Sequence, residues 1–420
     1  MDYIVINGQK RLSGEISISG AKNAAVAILP AAIACGGICE IENIPQIEDV
    51  SNSIAAMESL GAVCILKNEH TYIIDATNIT SCKLNEKLVK NMRASYYFMG
   101  ALLGRFGKAE IPLPGGCDLG SRPIDYHLNG FTALGAKCVQ EHGVVKLTAE
   151  KLKGASIYLD CPSVGATINI MIAAVFAEGT TVIENAAREP HIVDTASFLN
   201  KFGAKIGGAG TGTIRITGVK ELGGGEYTVI PDPIEAGTYM IASAITGGDV
   251  TVSNIIPKHM ESLTVKLREM GCDVIEGLDS IRVLGSKNLR PCDIRTAYYP
   301  GFPTDLQPQM ATLLCKAHGT STITENIFTA RFRYTGELSR FGANFRIDGR
   351  MAVTRGHCEF TGAEVNALDL RAGAALIIAG LCAKGETVIG NVYHLDRGYE
   401  NFEEKFRSLG ADIKRIQRDN

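Results

Sequence analysis

The segment FAEGTTVIENAAREPHIVDTASFLNKFGAKIGGAGTGTIRITG, residues 176–218, decides the fold class because it holds one full period of the chain. An apolar helix runs out at Gly179, and the β-branched TTVIEN that follows reads as a strand. After a loop, a segment of helical periodicity stops at Gly203-Ala204, where glycine readily ends a helix. Two short alternating stretches then read as a hairpin. The unit is βαβ-like with an added hairpin, and it cannot close a core by itself.

The stop phrase, an apolar residue followed by Gly and a small residue, recurs about 70 residues apart. It is found at Leu60-Gly61-Ala62, Leu134-Gly135-Ala136, Phe202-Gly203-Ala204, Met270-Gly271-Cys272, Phe341-Gly342-Ala343 and Leu409-Gly410-Ala411. Six units on 420 residues exceed a single core, which stops growing near ~250–300 residues. Three units per domain are expected, with the break at LGGGEYTVIPDP, residues 222–233, where glycine and proline concentrate. The first strand, residues 3–6, precedes the first unit, and the repeat does not decide which domain it joins.

Hydrophobic residues at 45% and charged residues at 21% describe a globular chain rather than a disordered or collagenous one. A formal net charge of −3 gives no footprint for nucleic acid. The N-terminus, MDYIVINGQK, alternates like a strand and lacks the layout of a secretion signal. The longest apolar run, AAVAILPAAIACGG, contains a proline and is too short to span a membrane. A cytoplasmic protein with no membrane partner is expected. Its twelve cysteines are expected to be reduced, and the close pair Cys35 and Cys39 lacks zinc-site spacing, so no metal is expected.

Counting back fourteen residues from the glycine that ends each unit's first helix reaches Asn23, Arg93, Gly165, Ile234, Asp305 and Arg371. Lys22, Ser163, Glu235 and Asp369 lie within two residues of these helix-opening positions. Asp305 and Asn23 have the chemistry of caps. Lys22, Arg93 and Arg371 are cations where the macrodipole opposes them, which points to an anion at these helix starts. The loop after the β-branched strand carries Asn43, Asn185, Asn254, Asn326 or Asn391 in five units, whereas the second unit reads PLPGGCDLGSRPID. These loops also supply Arg122, Arg188, Arg331 and Arg397.

Lys22, Arg93, Arg122, Arg331, Arg371 and Arg397, beside Asp305, Asp369 and Cys117, suit a substrate bearing phosphates and a carboxylate. No phosphate-loop or dinucleotide fingerprint is present, so no nucleotide cofactor is expected. Cys117 follows Pro114-Gly115-Gly116 and precedes Gly120, which predicts an exposed loop. Arg122 favours its thiolate and Asp118 opposes it. His394 is three residues from Arg397, whereas His70, His142 and His357 fall in hairpin-like surface stretches.

The motifs SGAKNAA, MRAS, PLPGGCDLGSRP, SVGAT, ENAAREP, FPTD, DLRA and YHLDRGYE together resemble the UDP-N-acetylglucosamine enolpyruvyl transferase (1-carboxyvinyltransferase) family, through essentially the whole chain. The resemblance implies two inverse α/β prism domains, one of residues 21–229 and one of residues 1–20 with 230–420, and an active site in the cleft between them. It also implies transfer of the enolpyruvyl group of phosphoenolpyruvate to the 3-hydroxyl of UDP-N-acetylglucosamine, with release of phosphate, as the first committed step of peptidoglycan synthesis and without a cofactor. Lys22, Arg122 and Arg397 would hold phosphoenolpyruvate, with Asn23 and Arg93 shaping the same region. Cys117 would act as general acid, Asp305 as acceptor of the hydroxyl proton, and Asp369 as an aid to proton handling. The sugar nucleotide would contact Arg122, Pro123, Ile124, Asp125, Tyr126, Ser163, Val164, Gly165, Asp305 and Ile327. Two other readings stand beside this one: a shikimate-type enolpyruvyl transferase, which shares the six-unit architecture but lacks the cysteine loop, and a catalytically silent sugar-nucleotide sensor.

Overall fold

The computed structural model describes residues 1–89, 92–113 and 124–418. They separate into two compact units, one within Gly20–Ile230 and one that joins Met1–Ser19 to the chain from Pro231 onward. Each unit is built from three of the six α/β repeats. The recurring stop phrase has one conformation throughout. The glycines at 61, 135, 203, 271, 342 and 410 all have φ between +92° and +112°, which side chains with a Cβ adopt only at a cost. The next residue then turns its N–H back onto the last helical turn: Ala62 to Met57 O, Ala136 to Phe131 O, Ala204 to Leu199 O, Cys272 to Leu267 O, Ala343 to Leu338 O and Ala411 to Phe406 O. This Schellman closure satisfies orphan carbonyls, and its second residue is buried in all six copies, hence the small side chain.

Five sheets share one strand order. The β-branched strand, for example Thr180–Glu184, is flanked by a parallel strand, Ser156–Tyr158, and by the hairpin Lys205–Gly207 with Thr213–Thr217. The Asn residues of the following loops are explained by this order. Asn43, Asn185, Asn254 and Asn391 have φ between +53° and +57°, and Asn tolerates that region. The Nδ2 groups of Asn43, Asn185, Asn254 and Asn326 donate to Val229 O, Leu159 O, Ile18 O and Thr296 O at 2.7–2.9 Å. Each acceptor is the first residue after the parallel strand, so the asparagine latches the two strand ends together. In the second repeat the described residues form a sheet of three strands, Lys108–Pro112, Val144–Thr148 and Lys137–Glu141, with a single parallel bridge from Lys83 to Glu110. That repeat has no latch asparagine.

The N-terminus completes the unit that contains residue 231 onward. Asp2–Asn7 lies between Glu386–Gly390 and Asp412–Gln417, antiparallel to both, where other repeats place the second hairpin strand. Ser13–Ser17 then pairs in parallel with Asp249–Ser253. In the other unit Gly225–Thr228 returns to pair in parallel with Ile38–Glu42, closing three repeats on themselves. The first helix of each repeat is buried on nearly every face, as in Val164–Ala174 and Leu370–Cys382, which is why these helices read as apolar runs. Four begin one residue before the expected positions, at Lys22, Val164, Pro233 and Leu370, and two open through the 3₁₀ turns Arg93–Tyr96 and Thr304–Leu306. Among the described residues no helix is long and apolar enough to cross a membrane.

Candidate active site

In the unit within Gly20–Ile230, the candidate residues gather at helix starts. Lys22 is the first residue of helix Lys22–Ala32, and Ala21 before it offers no capping side chain. The compensation for a cation at this end is internal: Nζ is 2.8 Å from Asp49 Oδ2. Both residues are nearly excluded from water, at 9% and 4% exposure. Asp49 lies in the first turn of helix Glu48–Ser59, where a carboxylate suits the macrodipole. Asn23 is half-buried in the first turn and caps nothing, so its reading as a cap fails.

Arg93 opens its 3₁₀ turn with the guanidinium 5.2 Å from the centre of the Tyr96 ring, and burial works against its charge. Ser163 is a side-chain cap, its Oγ accepting from Ala166 N at 3.3 Å. Val164 and Gly165 form the first turn behind it. Ile124 precedes helix Asp125–Ala133, with exposed Asp125 as its first residue. The Tyr126 phenol is pushed up to about 12, chiefly by its hydrogen bond with Cys161. Cys117, Arg122 and Pro123 lie outside the described residues.

In the unit that continues from Pro231, Asp305 is likewise no cap, since Pro303 holds that position. Its carboxylate is shared by two guanidiniums: Arg331 Nη2 is 3.2 Å from Oδ1 and Arg371 Nη2 is 3.1 Å from Oδ2. The arginine side chains are 1% and 5% exposed, the aspartate 29%. The acid is thus the part of the trio that reaches the surface. Arg331 also donates to Thr304 O at 2.8 Å, and Arg371 stands over the Tyr399 ring at 5.6 Å. Burial alone would weaken the Arg371 charge, but Asp305, Tyr399 and Asp232 more than offset it and hold the group above its ordinary range.

Asp369 is the N-cap of helix Leu370–Cys382, with Oδ1 accepting from Arg371 N at 2.8 Å and Ala372 N at 2.9 Å. Ile327 is placed by buried Glu325, whose Oε1 accepts from Ile327 N and Phe328 N and whose Oε2 accepts from Thr304 Oγ1. One carboxylate therefore ties the Ile327 loop to the residue before Asp305. Arg397 follows the turn Tyr393–Asp396. Burial first, then Arg397, pushes the His394 imidazole down, against Asp369, so His394 does lie close to that charge. His70, His142 and His357 are exposed.

The positive charge left for a polyanion is smaller than the sequence suggests, because Lys22, Arg331 and Arg371 each have a carboxylate of the protein as counter-ion. Asp49, Glu325 and His127, a buried histidine of helix Asp125–Ala133, carry no signal in the sequence that marks them out. Asp49 and Glu325 are ordinary acids in sequence, and only long-range packing gives them partners.

A family model described as EPSP synthase (3-phosphoshikimate 1-carboxyvinyltransferase) matches residues 6–406. The chain belongs to this family of enolpyruvyl transferases. It is 56% identical over 419 residues to a UDP-N-acetylglucosamine 1-carboxyvinyltransferase of Clostridium botulinum, covering 99% of this chain and 100% of that protein. It is 52% identical to UDP-N-acetylglucosamine 1-carboxyvinyltransferase 2 of Bacillus subtilis, covering 99% and 97%. The crystal structure of the enolpyruvyl transferase NikO from Streptomyces tendae matches with a TM-score of 0.91 at 27% identity, over 100% of this chain and 99% of that one. EPSP synthase from Acinetobacter baumannii matches with a TM-score of 0.78 at 20% identity, over 100% of each chain, a likeness of fold alone.

Proposed function

We propose that the chain transfers the enolpyruvyl group of phosphoenolpyruvate to the 3-hydroxyl of UDP-N-acetylglucosamine and releases phosphate, the first committed step of peptidoglycan precursor synthesis. The observation that carries this reading is identity above one half along the whole length of proteins named for that reaction, against 19–20% for the shikimate branch.

In this reading Lys22, Arg122 and Arg397 hold phosphoenolpyruvate, and Asn23 and Arg93 shape its surroundings. The run from Arg122 to Tyr126, the Ser163–Gly165 helix start, Asp305 and Ile327 contact the sugar nucleotide. Arg331 and Arg371 aim the Asp305 carboxylate, which takes the 3-hydroxyl proton as that oxygen bonds to C2 of phosphoenolpyruvate. Cys117 gives a proton to the methylene carbon. The C2–O bond to phosphate then breaks, phosphate leaves with the electron pair, and loss of a methyl proton restores the double bond. Asp369 assists with the carboxylate oxygen that does not cap its helix. Fixed cations stabilise the departing phosphate, positioning lowers the entropic barrier, and acid–base catalysis adds typically ~10²–10⁴-fold.

Phosphate release tests the reading. Turnover is expected with phosphoenolpyruvate plus UDP-N-acetylglucosamine and absent with shikimate 3-phosphate. Tight sugar-nucleotide binding without phosphate release would overturn it in favour of a sensor, and full activity in Cys117→Ala would remove the acid role of that residue.

A further inference from the structure

Asn169 sits inside helix Val164–Ala174 with no exposed surface, and a buried amide needs a partner for each polar atom. Its Oδ1 accepts from Gly100 N at 2.7 Å, and its Nδ2 donates to Tyr96 O at 2.6 Å. A backbone N–H only donates and a carbonyl only accepts, so these two contacts fix which end of the amide is oxygen. The remaining Nδ2 hydrogen faces His127 Nδ1 at 2.9 Å, and that nitrogen must accept. A neutral imidazole that accepts at Nδ1 carries its proton on Nε2.

The surroundings keep the ring neutral. Burial first, then the Arg93 charge, holds His127 down to about 3, and Tyr96 packs edge-on against it at 5.6 Å between ring centres. The Nε2 side makes no hydrogen bond to a described residue. It is turned to Gly165, where a Cβ would stand 3.1 Å from both Nε2 and Cε1. Gly165 belongs to the first turn of an eleven-residue helix whose N–H groups open in the same place. Glycine leaves the imidazole edge uncovered, and the amide behind it decides that this edge is a donor.

We propose that Asn169 is a positioning residue of the sugar-nucleotide site, fixing His127 as the Nε2–H tautomer so that a neutral donor stands beside the Gly165 helix start for an acceptor oxygen of the ligand. The inference rests on the reading of Ser163–Gly165 as part of that site. An uncharged donor suits a place where Arg93 and the helix dipole already supply positive potential and a second buried charge would cost desolvation.

Imidazole ¹⁵N shifts of the full-length wild type report the tautomer without substrate. His127 is expected to stay neutral and protonated at Nε2 from about pH 5.5 to 8, and an imidazolium or an Nδ1–H form there overturns the proposal. Asn169→Asp keeps the acceptor for Gly100 N but offers His127 an acceptor in place of a donor, which moves the proton to Nδ1. It is expected to raise KM for UDP-N-acetylglucosamine about tenfold, the worth of one hydrogen bond, while leaving KM for phosphoenolpyruvate and kcat nearly unchanged. An unchanged sugar-nucleotide KM, or equal loss in every parameter, overturns it. Asn169→Leu, which buries no charge, is expected to give the same split and serves if the aspartate variant does not fold. Calorimetry with UDP-N-acetylglucosamine and the wild type separates the two readings: no binding refutes the function, whereas normal binding with an unaltered variant refutes the role of Asn169 alone.

Discussion

Asp305 is a stability element that the proposed mechanism also makes the reactive base. Its carboxylate neutralises two guanidiniums that are almost wholly buried, and a buried charge stripped of its partner costs several kcal/mol. Asp305→Ala is expected to destabilise its unit by about 3 kcal/mol and to abolish turnover. Asp305→Asn, which keeps an acceptor oxygen, is expected to recover much of the melting temperature but not the activity. Wild-type turnover in Asp305→Asn would remove the base role. Titration gives two opposite signatures. His127, held from 6.5 down to about 3, binds fewer protons folded than unfolded, so its contribution is complete above pH 6.5 and is lost as pH falls toward 3. Glu235 is pushed from 4.5 up to about 7 by burial, against the pull of Lys405. It binds more protons folded, so its contribution is full below 4.5 and is lost as pH rises through 7. Denaturation of Glu235→Gln at both ends of that window should therefore show the variant gaining on wild type as pH rises, and a constant difference would contradict the assignment. Thiol chemistry separates in the same way. Burial raises Cys64, Cys292, Cys315 and Cys382 to about 12, and such thiols are poor nucleophiles. An epoxide that mimics phosphoenolpyruvate, such as fosfomycin, is expected to modify Cys117 and none of these four, as peptide mass analysis would show.

At the level of elements, two glycines separate conformation from space. Gly203 has φ +112° and, among the described residues, nothing within 4 Å of where a Cβ would stand, whereas Gly100 is helical but a Cβ would lie 2.3 Å from Asn169 O. Gly203→Ala should cost about 1–2 kcal/mol through backbone strain alone. Gly100→Ala should also destabilise, despite a gain in helix propensity of about 1 kcal/mol, because two helices must part. Chemical denaturation of both variants checks this, and a stabilised Gly100→Ala would contradict the close approach. The repeat was legible in sequence because the Schellman glycine and its small follower are demanded by local backbone geometry, which every copy must meet alike. The helix starts were legible for the same reason. What each polar side chain does there was not: Lys22 meets Asp49, and Asp305 meets Arg371, across stretches of chain whose pairing no local pattern encodes. The recurring loop asparagines were visible in sequence without their purpose, since the strand ends that four of them tie together are distant in the chain.

The whole molecule is assembled from a discontinuous unit and a continuous one. The N-terminal amine donates to Arg418 O at 2.8 Å, and Arg418 N donates to Met1 O at 3.0 Å, so Met1 and Arg418 are neighbours. A chain running from residue 231 to 420, through a short linker, into residues 1–19 is expected to fold on its own, whereas residues 231–420 alone lack two strands and should not. Circular dichroism melts of both would decide. The same arrangement sets a schedule for synthesis. The strand Asp2–Asn7 leaves the ribosome about 400 residues before its partners Glu386–Gly390 and Asp412–Gln417. At about 5–20 residues per second the opening strand waits on the order of 20–80 s for its place in the sheet. Meanwhile the continuous unit, complete once Gly225–Thr228 has emerged, is free to fold during translation, so a strand made early is among the last elements to be buried.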